Sequence, residues 1–191
     1  MNHEKFFEVL DEIHQTSPGL RAYLNVALAQ LDIKKHAKLS PEHNQMFPLT
    51  FVERGNLKTS LDSKQNPDNR LVRLHLQNTL IPKFKELNTD DFELTVEAIA
   101  DSALMVIPNK HIYTLYQNFP EFHMLMSKIS EIQLTELLHH GFNLHAHDVP
   151  TRLENLLIEQ PEIFQIIPIN DVARFLGTHP NTLSAIRNKK D

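Results

Sequence analysis

The sequence predicts an α+β protein in which helices precede and follow an antiparallel β-roll or jelly roll. Three observations lead to this fold class. Apolar residues recur at helical spacing before residue 33 and after residue 108. Between residues 46 and 106 they recur at every second position, which is typical of half-buried strands. Near the end of the chain, residues 169–188 fit the pattern of two short helices joined by a tight turn, the helix-turn-helix.

Two amphipathic helices are predicted at the start of the chain. Four apolar residues share one face of the first helix: Phe6, Val9, Leu10 and Ile13. Ser17 and Pro18 are typical of a helix start, so a second helix is expected from there. Its apolar face is formed by Leu20, Leu24, Leu28 and Leu31.

Short strands joined by polar turns are predicted next. The first alternating run comprises Phe47, Leu49, Phe51, Gly55, Leu57, Thr59 and Leu61. After the turn-rich residues 62–69, the alternation resumes at Val72, Leu74 and Leu76. Two further strands are marked by Phe92, Leu94, Val96 and Ala98, and then by Leu104 and Val106. Strands of this length, separated by polar turns, favour a small antiparallel β-roll or jelly roll.

Helical spacing returns after Pro108. A short helix is expected to end near Asn118, with its apolar face at Ile112, Leu115 and Tyr116. A longer helix is expected from Pro120 to about His140.

The longer helix has two apolar faces. The first comprises Phe122, Leu125, Ile129 and Ile132 and is continued by Glu136, and the second comprises Met126, Leu134, Leu137 and Leu138. Such a helix needs two partners, which we expect to be its own β-roll and the same helix of a second subunit. The first set of residues is the predicted dimerisation face. A fully buried helix in a monomer is the alternative.

The helix-turn-helix window is organised around Gly177. A glycine at this point allows a sharp turn with positive φ. Four apolar residues occupy positions where two crossed helices share a small core: Val172, Leu176, Leu183 and Ile186. Ala173 lies where the helices touch closely and only a small side chain fits. The alternative is a pair of short amphipathic helices with a purely structural role.

The second helix of this pair carries the predicted DNA contacts. Thr178 is the expected N-cap, and Pro180 follows in the first turn. With Leu183 and Ile186 facing inward, a polar outward face remains that would enter the major groove. The predicted contact residues on this face and its flanks are Thr178, His179, Pro180, Asn181, Thr182, Ser184, Ala185, Asn188 and Lys189.

Composition excludes several classes of protein. The 191 residues contain no cysteine, which excludes disulfides, thiolate zinc sites and cysteine-held iron–sulfur clusters. No apolar run approaches the roughly 20 residues that span a bilayer, and the first residues lack a signal-peptide layout. We therefore expect a cytoplasmic protein with no membrane contact. Residues 151–191 hold five basic and five acidic residues, so the net charge of −5 lies in the first 150 residues.

The order of these parts resembles the Crp/Fnr family of transcription regulators. The similar segments are Phe51-Val-Glu-Arg-Gly-Asn-Leu57, Ala98–Ile107, Pro161–Pro168 and Val172–Arg187. The resemblance implies a cyclic-nucleotide-binding-like sensor domain (residues 1–118), a dimerisation helix and hinge (119–147) and a DNA-binding helix-turn-helix domain (148–191). It also implies a homodimer on a near-palindromic operator of double-stranded DNA, with RNA polymerase and an unidentified small-molecule effector as further partners.

Two departures from the family pattern change these expectations. Members that bind cyclic AMP hold it with a glycine–glutamate pair and an arginine followed by a small residue. The corresponding residues, 78–94, contain neither glycine nor arginine, so cyclic nucleotide is not the expected ligand. The glutamate and arginine that many relatives use to contact bases fall on Asn181 and Ala185, so a different operator is expected.

The competing signal is a group of histidines. His139, His140, His145 and His147 precede Asp148, and the His-x-His pair could bind a metal as in cupin enzymes. Solvated hinge histidines, or a pH switch, are the other interpretations. The chain has no Gly-x-Ser-x-Gly or Walker motif and only four glycines. We therefore expect a protein that is not an enzyme and holds no metal or cofactor, with a metal-dependent cupin-like enzyme as the alternative.

Overall fold

The structure is a computed structural model that describes residues 3–39, 48–65, 70–82 and 91–188. Its helices are α1 (Glu4–Ile13), α2 (Pro18–Ala27), α3 (Ile112–Asn118), α4 (Pro120–Ala146), α5 (Val149–Glu159), α6 (Ile163–Ile166), α7 (Ile169–Phe175) and α8 (Pro180–Arg187). A 3-10 turn, Asn109–His111, leads into α3. Within the described ranges every helix is too short or too polar to cross a membrane.

Between α2 and α3 the chain forms an antiparallel β-roll. Its strands are β1 (Ala29–Ile33), β2 (Lys38–Leu39), β3 (Leu49–Arg54), β4 (Leu57–Ser63), β5 (Arg70–His75), β6 (Leu80–Pro82), β7 (Phe92–Ala98) and β8 (Ser102–Val106). One sheet has the order β1-β8-β3-β6 and the other the order β2-β7-β4-β5. The predicted α+β class, with helices around an antiparallel roll, is confirmed. The first residues of the predicted alternation, 46 and 47, lie outside the described residues.

The two N-terminal helices form as predicted, but the second ends early. The Ser17 hydroxyl accepts a hydrogen bond from the Leu20 backbone N–H at 3.2 Å and caps α2. The helix stops at Ala27, and Leu31 lies on β1 opposite Leu104 of β8. Leucines at three- and four-residue spacing fitted one helix face, and pairing with β8 is what assigns Leu31 to a strand instead.

The turn between β3 and β4 explains Gly55, which the alternating pattern placed on a strand. Its φ is +85°, in the left-handed region that favours glycine. A Cβ atom here would lie 2.8 Å from the carbonyl oxygen of Asp101 and would collide with the Ser102 side chain. Gly55 therefore allows the turn to pack directly against the start of β8.

Two apolar clusters hold the roll and its helices together. The interior of the roll, between the sheets, contains Val52, Leu57, Ile81, Val96, Leu104 and Val106. A second cluster joins α1, α2, α3 and the first half of α4 to the sheet that contains β3; its members include Phe6, Leu10, Leu24, Phe51, Met105 and Leu115. Full burial of one such side chain contributes about 1.5–3 kcal/mol, so these helices are integral to the roll.

Helix α4 is longer than predicted. It runs past the predicted end near His140 to Ala146, and it includes Gly141. A Cβ atom on Gly141 would meet no atom of the described residues within 4 Å, so this glycine is not required by close packing against them. The connector to α5 is only His147 and Asp148, and the Asp148 carboxylate accepts a hydrogen bond from the Thr151 N–H at 3.0 Å.

The C-terminal helices share a core with the β-roll. Leu153, Leu156, Ile163, Ile167, Val172, Ala173, Leu176 and Leu183 are buried in one cluster. Ile99, in the turn between β7 and β8, belongs to the same cluster, and Leu74 and Leu76 pack against it. Helix α7 thus lies directly on strand β5.

Candidate nucleic-acid interface

Helices α7 and α8 form the predicted helix-turn-helix. Gly177 has a φ of +63°, and the backbone N–H of Thr178 donates to the Ala173 carbonyl at 2.9 Å. The Gly177 N–H donates to the Arg174 carbonyl at 3.0 Å, so the end of α7 is closed by backbone hydrogen bonds. The predicted role of Gly177 as the turn residue is confirmed.

The residues predicted for the core of the helix pair are in that core. Val172, Ala173, Leu176 and Leu183 are between 0 and 3% exposed. Ile186 is half-buried and packs against the same cluster. The inward face of α8 is therefore determined by packing, and the residues between these positions face away from the protein.

The start of α8 differs from the prediction. His179, and not Thr178, is the N-cap residue: its Nδ1 atom accepts a hydrogen bond from the Asn181 backbone N–H at 3.2 Å. Thr178 is still part of the turn, because its own N–H is bonded to the end of α7. Pro180 lies in the first turn of α8, as predicted, where its missing N–H costs nothing.

The outward face of α8 is polar and open. Asn181, Ala185 and Asn188 are exposed, and Ser184 is half-buried. Among the described residues, none forms a hydrogen bond with the side-chain amides of Asn181 and Asn188. These amides are therefore free to act as donors and acceptors towards an external partner.

The flanking residues predicted to contact DNA surround this face. His179 and Thr182 are exposed, and Thr178 and Pro180 are half-buried. Lys189 lies outside the described residues. Eight of the nine residues predicted to contact DNA therefore lie in one continuous segment, which begins in the turn at Thr178 and runs along α8 to Asn188.

One basic side chain at the end of α8 has a defined position. The Arg187 guanidinium lies over the ring of Phe164, 4.1 Å from its centroid. Such a cation–π contact restricts the side chain while leaving its charge intact. Arg187 is exposed, so the positive charge remains available at the surface beside Asn188.

Sequence reasoning missed how the helix-turn-helix is attached to the β-roll. Lys58 on β4 and Asp171 on α7 form a buried ion pair, with 2.9 Å between Nζ and Oδ1. His140 on α4 stacks on Phe175 of α7 with 4.4 Å between ring centroids. Lys58 and Asp171 are 113 residues apart, and nothing in a single sequence indicates that two such distant residues pair.

The first half of α4 corrects part of the predicted dimerisation face. Phe122, Leu125 and Ile129 are 0–1% exposed and lie in the core that joins α4 to α1 and α2. No surface of these three side chains is left for a second subunit. The prediction of these three residues as a dimerisation face is therefore wrong, because the pattern could not say which face of α4 met the roll.

The second half of α4 is apolar and exposed. Leu134, Leu137, Leu138 and Phe142 are 58, 48, 65 and 62% exposed. Two members of the predicted dimerisation face also remain at the surface: Ile132 is 41% exposed, and Glu136 is exposed and forms an ion pair with Arg73 of β5. This half of the helix therefore carries an apolar surface that no described part of the chain covers.

The four histidines singled out in the sequence lie along the last turns of α4 and at its end. His139, His140 and His145 lie on α4, and His147 ends it. No group of three or more histidine, aspartate or glutamate side chains in the described part of the chain is arranged to hold a metal ion. Burial, with the positive charges of Arg73 and Arg152 nearby, lowers the pKa of His140.

Among comparisons with known proteins, only those with solved structures found similar proteins. No protein-family model matches the sequence, and no curated protein matches it. Solved structures do match over most of the chain. FixK2 from Bradyrhizobium japonicum is 13% identical with a TM-score of 0.70, and the match covers 85% of this chain and 83% of that one.

Two further structures have the same arrangement. A protein from Eubacterium rectale, described as a transcriptional regulator of the Crp/Fnr family, is 16% identical with a TM-score of 0.67 over 96% of this chain and 86% of its own. A variant of CooA from Carboxydothermus hydrogenoformans is 17% identical with a TM-score of 0.64 over 95% and 82%. At these identities the likeness is one of fold. The chain has the fold of the Crp/Fnr regulators, in which a cyclic-nucleotide-binding-like β-roll is joined by a long helix to a C-terminal helix-turn-helix.

Proposed function

We propose that this protein is a transcription regulator of the Crp/Fnr type that binds double-stranded DNA in a sequence-specific manner. The observation that carries the proposal is the exposed polar face of α8 on a buried helix-turn-helix frame. Asn181, Ala185 and Asn188 face outward while Leu183 is fully buried beneath them. A helix held in this way presents its outer side chains to the major groove.

The chemistry of this face suits base recognition. An asparagine amide can form a bidentate pair with adenine, because its NH2 group donates to N7 and its oxygen accepts from the N6 amino group. Asn181 and Asn188 both offer this amide. The Ser184 hydroxyl can donate or accept, and the Ala185 methyl suits the methyl group of thymine. His179 and Thr182, at the flanks, are positioned to contact phosphates and set the register.

A homodimer is the second part of the proposal. On α4, Leu134, Leu138 and Phe142 follow one another at four-residue spacing and are each more than half exposed. A second copy of α4 would bury this stripe in a coiled coil. Two-fold symmetry would then set two α8 helices about 34 Å apart, one turn of DNA, on a near-palindromic operator.

The charge distribution suggests that base contacts matter more than bulk attraction to DNA. The chain is acidic overall, and residues 178–190 contain three basic residues and no acidic one. Few phosphate contacts imply weak non-specific binding with a shallow salt dependence. A dimer would double the number of these contacts and the slope of the salt dependence. RNA polymerase is proposed as a further partner of the DNA-bound dimer.

Regulation by cyclic nucleotide is not part of the proposal. Close backbone approach to a cyclic phosphate favours glycine, and its bidentate recognition favours arginine; residues 78–94 contain neither. Residues 83–90 of this segment lie outside the described residues.

Selection of bound duplexes from a random pool tests the proposal. We expect enrichment of a near-palindrome whose half-site centres are about 10 base pairs apart. The same selection with the Asn181→Ala, Asn188→Ala double variant should yield no shared motif. If the unaltered protein enriches no motif, the protein does not read DNA sequence and the C-terminal helices are structural.

A further inference from the structure

We infer that a cavity between the β-roll and the helix-turn-helix binds a small organic carboxylate with a flat, apolar body. The cavity has a volume of about 300 Å³. Its walls come from four elements, β5, α4, α5 and α7, so it lies where the roll, the long helix and the C-terminal helices meet. Ligand sites are commonly found at such junctions, and this volume is at the small end of their range.

The strongest polar feature of the cavity is Arg152 on α5. Its Nη1 atom donates to the Leu144 carbonyl at 2.8 Å, and its Nε atom is buried without a hydrogen-bond partner. Among the described residues no carboxylate forms an ion pair with Arg152. A guanidinium offers N–H donors that match the oxygens of a carboxylate, so a ligand carboxylate at Arg152 would supply the negative partner that this charge lacks among the described residues.

His140 adds a second unpartnered nitrogen. It lines the cavity from α4, and its Nε2 atom is buried without a partner. Its ring is fixed by stacking on Phe175. Burial, with Arg73, Arg152 and His139 nearby, lowers the pKa of this imidazole, so it adds a hydrogen bond and not a full charge near neutral pH.

The two acidic residues that line the cavity, Glu136 and Glu159, form no ion pair with Arg152. Glu136 forms an ion pair with Arg73, which also lines the cavity. Glu159 is exposed on α5. Arg152 itself lowers the pKa of Asp148 only as a lesser cause, behind the hydrogen bonds from Thr151. An anionic group in the occupant would therefore be the ion-pair partner that Arg152 lacks among the described residues.

The remaining walls select against a bare inorganic anion. Leu74, Leu137, Leu144, Leu156 and the Phe175 ring line the cavity. Apolar surface of this kind is stabilised when an apolar body displaces water from it. A planar group between leucines and an aromatic ring, with its carboxylate at Arg152, uses both parts of the site.

Occupancy would couple the parts of the protein. The ligand would touch β5, α4 and α7 at once, and so would bind best when the helix-turn-helix lies on the roll as it does here. A ligand shifts such an equilibrium by its differential affinity for the two poses. This regulatory consequence rests on the proposed function, whereas binding in the cavity does not.

Calorimetric titration of the full chain without DNA tests the binding. Benzoate, phenylacetate and hexanoate are the probes, and we expect at least one to saturate at one per chain with a Kd below about 1 mM. Benzamide, which lacks the charge of benzoate, should bind at least about tenfold more weakly than the matching carboxylate. If no probe saturates, or if inorganic phosphate binds as well as the best probe, the inference is wrong.

Three variants locate the site. Arg152→Gln removes the cation, and Asn143→Trp fills the cavity from α4 while leaving Arg152 in place; each should weaken binding at least about tenfold. Lys128→Gln removes a positive charge from an exposed position on the same helix and should leave binding unchanged. If both cavity variants bind the probe as tightly as the unaltered protein does, and their circular dichroism is unchanged, the inference is wrong.

Operator binding, measured with and without the probe, separates the cavity inference from the proposed function. If the probe binds and also changes affinity for the selected operator at least about threefold, both stand. If the probe binds but no operator can be selected, the cavity site stands and the proposed function fails. If an operator is found but no probe saturates, the proposed function stands and the cavity inference fails.

Discussion

The Nζ atom of Lys58 lies 2.9 Å from Oδ1 of Asp171, and this ion pair joins strand β4 to helix α7. Both side chains are at most 10% exposed. Glu97 lies 3.7 Å from the same ammonium, and Arg174 lies 3.8 Å from the same carboxylate. A small charged network therefore crosses the boundary between the β-roll and the helix-turn-helix.

Removing one member of this buried pair should be costly. We expect Lys58→Met to lower the free energy of unfolding by about 3 kcal/mol, because it leaves a buried carboxylate without its main partner. Lys34→Met is the matched control: its pair with Asp101 is 3.0 Å long, but Lys34 is 87% exposed, so the loss should be much smaller than for Lys58→Met because solvent screens the pair. Urea unfolding followed by circular dichroism measures both.

A double variant separates the cost of an unpaired charge from the value of the pair. Lys58→Met with Asp171→Leu removes both charges, and should be more stable than Lys58→Met alone. If the double variant is the less stable of the two, the network stabilises the boundary by itself and the explanation by an unpaired charge is wrong.

Two glycines should respond in opposite directions to the same substitution. Gly177 has a φ of +63°, and an added Cβ would lie 3.0 Å from Leu144 Cδ2, so Gly177→Ala should destabilise the protein by about 1–2 kcal/mol. Gly141 lies within α4 in open space, so Gly141→Ala should stabilise it by about 0.5–1 kcal/mol. Thermal unfolding measures the difference, and shifts of equal sign would contradict this account.

Loss of one asparagine amide should weaken specific DNA binding without affecting the fold. Asn181→Ala should cost about 1–3 kcal/mol in binding to the selected operator, while the unfolding free energy stays the same because the side chain is exposed. Asn118→Ala, an exposed asparagine at the end of α3, is the matched control. Fluorescence anisotropy with labelled operator measures affinity. A variant that unfolds, or an equal loss in the control, would argue against base contact.

The exposed stripe on α4 should hold two subunits together. One chain has a mass of 22.1 kDa, and we expect sedimentation to give twice that mass for the unaltered protein. Leu134→Asp with Leu138→Asp should give the mass of a single chain, because two buried charges would face each other at the interface. Ile158→Asp, at a 79% exposed position on α5, should leave the dimer intact. A dimer that survives the first change would place the interface elsewhere.

Stability should fall in acid because of His75. Burial, and to a lesser degree Arg73, lowers the pKa of His75 from 6.5 to about 3. The folded protein keeps this imidazole neutral while the unfolded chain takes up a proton below pH 6.5. The contribution of His75 to the free energy of unfolding is therefore complete above pH 6.5. It declines by about 1.4 kcal/mol per pH unit as the pH falls towards 3.

His75→Gln removes this titration while retaining a polar group near Thr59, whose hydroxyl lies 2.8 Å from Nε2 of His75. Urea unfolding at several values between about pH 7 and pH 4.5 should show a shallower pH dependence for the variant. His145→Gln, at an exposed position on α4, provides the comparison. Equal slopes for His75→Gln and the unaltered protein would rule out this origin of acid sensitivity.

Much of the fold could be predicted from local pattern. Gly177, with Val172 and Leu183 at fixed offsets, specifies a turn and an inward face, because each residue type fits only one local environment there. The outward face of α8 then follows from helix geometry alone. Alternation of apolar residues between residues 49 and 106 predicted the strands β3, β4, β5, β7 and β8, because a half-buried strand places every second side chain in the core.

Local pattern failed where two structures fitted equally well. Leu31 satisfied both the spacing of a helix and that of a strand, and only pairing with Leu104 on β8 decides between them. The faces of α4 were likewise both apolar, and the position of α1 and α2 determines that Phe122 is buried. His179 caps α8 because the helix begins at Pro180, which places the His179 Nδ1 within reach of the Asn181 N–H.

The sequence by itself determined the secondary structure of the ends, the polar edge of α8 and the absence of thiol chemistry, because these depend on residue type and short spacing. Only the tertiary structure decided which face of α4 is free, that α7 lies on β5, and that Arg152 and His140 meet across one cavity. These relations join residues distant in the chain, and they arise from packing and charge pairing that no local period encodes.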